Sequence, residues 1–140
     1  MKKPVFILLL VIVTFAACIK QNTPTAPLDN RVDTLMASRL YSGEFGNGPY
    51  GSVSGGAKIY QKDGQHLLAL ENVTISNGPD LHVYLSQELQ PLHFIDLGSL
   101  QSVSGYQVYP IEGNPDFRQF RYALIHCRKY NHLFGSALLH

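Results

Sequence analysis

The run from Phe120 to Leu139, FRYALIHCRKYNHLFGSALL, leaves this chain few choices of fold. Read with the period-two alternation of a strand, its first half puts Arg121, Ala123, Ile125 and Cys127 on one face and Phe120, Tyr122, Leu124 and His126 on the other. Both faces are mainly apolar, so the strand must be covered on both sides, inside a sandwich or barrel rather than at its edge. Cys127 is therefore expected near the core. The same alternation sends His126 and Cys127 in opposite directions, so the adjacent pair is not itself a Cys/His dyad. Arg128 to Asn131 is the expected turn, and Gly135 in the return strand marks a bulge or a close backbone approach.

Turn formers cut the rest of the chain into similar short strands. Ser38 to Phe45 is the first, followed by Gly46-Asn47-Gly48-Pro49-Tyr50-Gly51, which matches G-x-G-x-x-G letter for letter. A dinucleotide fingerprint needs a helix opening beneath it, and Ser52-Val53-Ser54-Gly55-Gly56 has no helical period, so the stretch is a glycine-rich hairpin loop. Ala57 to Lys62 and Gln65 to Val73 flank Asp63-Gly64, a two-residue type I′ turn signal that pairs Lys62 with Gln65, Tyr60 with Leu67 and Ile59 with Leu68. Ser76 to Asp80 turns the chain into Leu81 to Ser86, where Leu81, Val83 and Leu85 alternate with His82, Tyr84 and Ser86; the first set faces the core. Leu92 to Leu97 and Gly105 to Ile111 follow, the second carrying Pro110, which suits a sheet edge or strand end. The expected class is all-β: an antiparallel sandwich or barrel of about eight short strands in one domain over 38–140.

The N-terminus has a different character. Lys2 and Lys3 precede an apolar run from Val5 to Val13, shorter than the ~20 residues needed to span a bilayer, and small residues follow. Residues 1–17 read as a signal peptide. Phe15-Ala16-Ala17-Cys18 resembles a bacterial lipobox, in which Cys18 is lipidated and becomes the first mature residue; an ordinary secretory signal with Cys18 as a bystander is the alternative. Ile19 resembles the residue found after the cysteine in lipoproteins not retained at the inner membrane, so the expected location is the bacterial cell envelope, at the outer membrane in a Gram-negative cell. The polar, Pro-containing segment 18–37 reads as the lipidated cysteine and a flexible tether. Removing Lys2 and Lys3 with the signal takes the formal net charge from +1 to −1, so no basic field favours nucleic acid.

Of the 2 cysteines, lipidation of Cys18 leaves only Cys127, and no internal disulfide is possible. In an oxidising compartment such a thiol must be buried, bound or chemically used.

Ser42-Gly43-x-Phe45, Leu70-Glu71-Asn72, Asn77-Gly78-Pro79-Asp80-Leu81-His82-Val83-Tyr84-Leu85-Ser86, Gly105-x-Gln107-x-Tyr109 and Cys127 with Phe134-Gly135-x-Ala137-x-Leu139 form a familiar series. From about Tyr41 to Leu139 the chain resembles the DM-thirteen domain, a small all-β module associated with DOMON domains, to which electron transfer is ascribed. The resemblance implies that Cys127 is the family's hallmark cysteine, acting as a redox thiol or a cofactor ligand. Family members often carry an aromatic residue just before it; here His126 stands there and is itself a candidate ligand.

Two cofactors come into view from the donor residues. Haem would be held by a histidine pair or by the Cys127 thiolate, since there is no Cys-x-x-Cys-His and Met36, the one methionine outside the signal, precedes the domain. Candidate cofactor ligands are Cys127, His82 and His126, with His93 and His132 as further histidines. Copper would use His82, Cys127 and His132, the His₂Cys set of blue-copper sites, without an axial methionine. Lys129, two residues past Cys127, is a candidate for lowering the thiol pKa. Asp80 is expected to serve its turn rather than acid/base chemistry. No Ser/His/Asp order, paired carboxylates or phosphate loop points to a hydrolase or transferase. The expected partners are the membrane, through Cys18, and a redox protein of the envelope. The competing reading is a non-catalytic binding or structural module with Cys127 as an inert buried hydrophobe.

Overall fold

Alternating apolar and polar residues, cut by turn formers, resolve into nine strands and no helix over residues 21–140, the residues described by the structure, a computed structural model. The expected signal peptide and Cys18 lie outside the described residues. In chain order the strands are β1 (Leu28–Asp29), β2 (Ser38–Asn47), β3 (Val53–Lys62), β4 (Gln65–Ile75), β5 (Leu81–Ser86), β6 (Phe94–Ser99), β7 (Ser104–Ile111), β8 (Tyr122–Cys127) and β9 (His132–Leu138). They form one curled half-barrel sheet in the order β1-β7-β4-β3-β2-β9-β8-β5-β6, antiparallel throughout except for the parallel pair β1 and β7. The all-β expectation holds.

Strand β2 belongs to both walls of the curl. Ser38 to Glu44 pair with β3, and Phe45 to Asn47 pair with β9. Apolar side chains from the two walls meet inside: Ile59, Leu68 and Leu70 from one, Val83, Leu85, Ile125 and Ala137 from the other, all fully buried. Desolvating these side chains is the main stabilising term, about 1.5–3 kcal/mol for each large one.

Local chemistry fixes the register. Asp63 and Gly64 take φ values of 51° and 77°, as a type I′ turn requires, and Lys62 faces Gln65, Tyr60 faces Leu67 and Ile59 faces Leu68. Leu81, Val83 and Leu85 point into the core, as do Ala123, Ile125 and Cys127 of β8, which lies between β5 and β9. The outer face of β8 is covered as well: Leu124 and His126 are buried, with Tyr84 stacked between Phe94 (4.4 Å) and His126 (5.3 Å). Gly135 satisfies both readings of its position. A register shift separates Ile125 from His126 opposite it, and a Cβ at Gly135 would stand 2.4 Å from Val53 Cγ2.

The segment expected to be a flexible tether over 18–37 departs from that expectation where it is described. Asn22 donates to Gly78 O (3.3 Å), Val103 N donates to Pro24 O (3.0 Å), Ser102 Oγ donates to Ala26 O (2.7 Å), and Asn30 N donates to Tyr106 O (3.0 Å). The sheet leaves unpaired backbone along β7 and in the loops beside it, and an extended polar segment satisfies those groups without an apolar face of its own. Gly105, with φ of 99°, lets Leu28 come close enough to form β1. Because β1 covers only Gly105 and Tyr106, Pro110 stays on an open stretch of β7, as expected of proline. Among the described residues no helix is long and apolar enough to cross a membrane.

Candidate functional site

The end of the sheet where β5 begins, β8 ends and β9 begins gathers the residues of chemical interest. Cys127 is in register with Leu81 on one side and His132 on the other. Its side chain is 1% exposed, and it lies on the wall of an open pocket of about 440 Å³, a volume within the range of small-molecule sites.

The pocket is built from loops whose sequences explain its shape. On one side the rings of Tyr50 and His132 stack in parallel, 3.6 Å apart and 2° from coplanar, with Tyr130 at 6.0 Å from His132. Phe134 lines the pocket as well. It fits because two neighbours lack side chains: a Cβ on Gly51 would stand 2.5 Å from Phe134 Cδ2, and one on Gly78 would stand 2.9 Å from Phe134 Cζ. The opposite wall is Asn77-Gly78-Pro79. Asn77 Oδ1 accepts from Gly78 N (2.8 Å) while its Nδ2 donates to Thr23 O (2.9 Å), and Asn22 Nδ2 donates to Pro79 O (2.6 Å). The N-terminal segment thus braces this wall, and Gln21 reaches the pocket itself. Among the described residues no lysine or arginine lines it.

Outside the pocket, Asp80, Arg128, His82 and Asp96 form a linked polar set. Asp80 shares its carboxylate between Arg128 Nε (3.2 Å) and His82 Nε2 (3.3 Å), and His82 Nδ1 lies 2.9 Å from Asp96 Oδ1. The backbone-bonding role expected of Asp80 in the turn is filled by Asn77, while Asp80 clamps β5 to the turn after β8. His126 Nε2 lies 2.9 Å from Asn131 Oδ1 and its Nδ1 has no partner. Burial, only partly offset by the bond to Asn131, pushes the His126 pKa below the ordinary imidazole value, so the ring is neutral with its proton on Nε2, donating to Asn131. Lys129 is exposed in the turn, its Nζ 5.4 Å from the Tyr130 ring centroid. His93, also exposed, bonds Glu88 at 2.7 Å.

These placements separate the expected ligand sets. His82 and His126 face each other across β5 and β8 on the outer side of the sheet, whereas Cys127 points inward. The cofactor set Cys127, His82 and His126 does not converge, and neither does the copper set His82, Cys127 and His132. Only Cys127 and His132 share a site. Among the described residues no three His, Cys, Asp or Glu side chains are placed to hold a metal ion. The residues present therefore do not fit a His₂Cys copper centre or a haem ligated by Cys127 with His82 or His126. Gln21 and Tyr130 are site residues that the sequence did not assign, and so are Tyr50, Asn77, Gly78, Pro79 and Phe134. The signal for the latter was the glycine strings around them, which the structure explains as space for Phe134.

Among curated proteins and solved structures none matches this chain. A family model described as "Electron transfer DM13" matches residues 44–139, from the middle of β2 to the end of the sheet. That span includes Cys127 and every pocket residue except Gln21. With most of its length covered by the match, the chain belongs to the DM13 family of electron-transfer domains.

Proposed function

We propose that this chain is an envelope lipoprotein, anchored through Cys18, whose DM13 domain transfers electrons through Cys127. One observation carries the role of the thiol: Cys127 is shut off from bulk water at 1% exposure and yet lines a pocket of ligand size. A core cysteine with no other task would have solid packing on every side. Here one side of the residue borders the pocket, and its burial away from bulk water accounts for a single thiol surviving where paired cysteines are the stable form. Tyr50, His132, Tyr130 and Phe134 supply an apolar, aromatic surround for a planar carrier or for the tip of a redox partner from the envelope.

The competing reading, a binding or structural module with an inert thiol, draws on the packing of Cys127 with the core cluster that includes Ile125 and Ala123. Native-state labelling separates the two. Small neutral thiol reagents that fit the pocket should modify Cys127 in the folded soluble domain, and bulky charged ones should not. Labelling that appears only on unfolding favours the inert module. The anchor is tested by fractionation: Cys18→Ala should move the protein from the membrane to the soluble fraction.

A further inference from the structure

The loops at the Cys127 end of the sheet, residues 48–52, 76–80 and 128–131, contain three charged side chains, Asp80, Arg128 and Lys129. Asp80 and Arg128 pair with each other. That leaves Lys129, alongside Tyr50 and Tyr130, which are 56% and 52% exposed. Tyrosines with an apolar body and a polar tip, next to a lysine whose stem can lie along apolar surface, are the residue types that settle at the headgroup level of a bilayer.

The path of the chain gives a second, independent observation. Gln21 lines the Cys127 pocket, and Asn22 is held at its rim by bonds to Gly78 O and Pro79 O. Only three residue steps separate Gln21 from Cys18, at most roughly 11 Å of fully extended chain. A lipid on Cys18 therefore holds this end of the domain against the membrane. The hairpin turn at Asp63-Gly64 lies at the far end of β4, roughly 30 Å away.

We infer that the loop surface bearing Tyr50, Tyr130 and Lys129 seats on the lipid headgroups, so that the Cys127 pocket opens onto the bilayer surface. This rests on the anchor at Cys18 proposed above. Its consequence is that the molecule reaching Cys127 is apolar and membrane-borne, not a solute of the aqueous compartment.

The chain has no tryptophan, so a single introduced one reports alone. The lipidated protein carrying Tyr50→Trp, Tyr130→Trp or Gln65→Trp is reconstituted into phosphatidylethanolamine and phosphatidylglycerol vesicles, with and without brominated acyl chains. The expected result is loss of most emission from the Tyr50→Trp and Tyr130→Trp proteins in brominated vesicles, with emission from the exposed Gln65→Trp site at the far turn unchanged. Tyr130→Trp guards against a local effect of disturbing the Tyr50 and His132 stack. Vesicle-bound protein with equal quenching at all three sites, or none at any, overturns the inference and leaves the anchor standing. Protein that does not float with the vesicles, with or without Cys18, overturns the anchor and the inference together.

Discussion

Replacing Cys127 separates chemistry from packing only when the replacement suits the site. The side chain is 1% exposed and belongs to the core cluster. Alanine removes one sulfur, an atom of about methylene size, and should cost about 1 kcal/mol. Serine keeps the volume but puts a hydroxyl in an apolar setting, at about 1–3 kcal/mol unless it finds a partner. For a domain of this size about 1 kcal/mol corresponds to about 4 °C in Tm, so alanine should lower Tm by about 4 °C and serine by about 4–12 °C. Thermal melts followed by circular dichroism measure this on the soluble chain beginning at Ile19. Electron transfer is then read by protein-film voltammetry at a temperature where wild type and Cys127→Ala are both fully folded. Loss of the signal in the stable alanine variant assigns the redox role to the sulfur. A folded Cys127→Ala protein with wild-type voltammetry refutes it. A serine variant as stable as wild type would refute the packing argument, because the hydroxyl would then be solvated in the pocket.

Two glycines should separate backbone strain from crowding. At Gly64 a Cβ would meet nothing within 4 Å, so Gly64→Ala pays only for φ of 77°, about 1–2 kcal/mol. Gly135→Ala brings a Cβ to 2.4 Å from Val53 Cγ2 and should cost about 1–3 kcal/mol in urea unfolding; a neutral result at either site would contradict its stated cause. His126 titrates below its unfolded value of 6.5 because it is buried, so the unfolded chain binds the extra proton. Its contribution to stability is complete above pH 6.5 and is lost as pH falls toward the folded pKa, and His126→Gln should flatten that part of the stability profile. Tyr60 is pushed up to about 12, first by burial and then by its hydrogen bond to Glu71. The stability it supplies below pH 10 should fall as pH rises from 10 toward 12, and Tyr60→Phe should remove the phenolate absorbance step at about pH 12.

The alternation of Leu81, Val83 and Leu85 with His82, Tyr84 and Ser86 was enough to place that strand and its faces. Asp63-Gly64 was enough to set the register of β3 against β4, because a two-residue turn leaves no slack. β1 was not legible. It is held by backbone groups of β7 and has no apolar periodicity, so a polar sequence reads as tether whether or not it docks. Cys127 was legible as a buried thiol from the two apolar faces of β8. Pairing it with His82 failed on parity: Leu81 and Cys127 share the inner face, so His82 takes the outer one once β5 and β8 lie side by side. Their adjacency was the missing fact, and it is set by long-range pairing that no local signal carries. The approach of Tyr50 to His132 depends on a loop conformation, which composition alone does not fix.

The double membership of β2 has a kinetic consequence. Phe45 to Asn47 find their partners only when Gly135 to Ala137 arrive, so the walls are joined by two segments from opposite ends of the domain. Such closure spends loop entropy before any contact repays it, and folds governed by distant pairings are slow. Until β9 docks, β2 and β8 each present a bare strand edge, the type of surface through which partly folded chains aggregate. A chain crossing a membrane N-terminus first would display that edge throughout its translocation. The final strand acts as the latch of the fold, and its late arrival makes holding by a chaperone most valuable in the interval before residues 132–138 emerge.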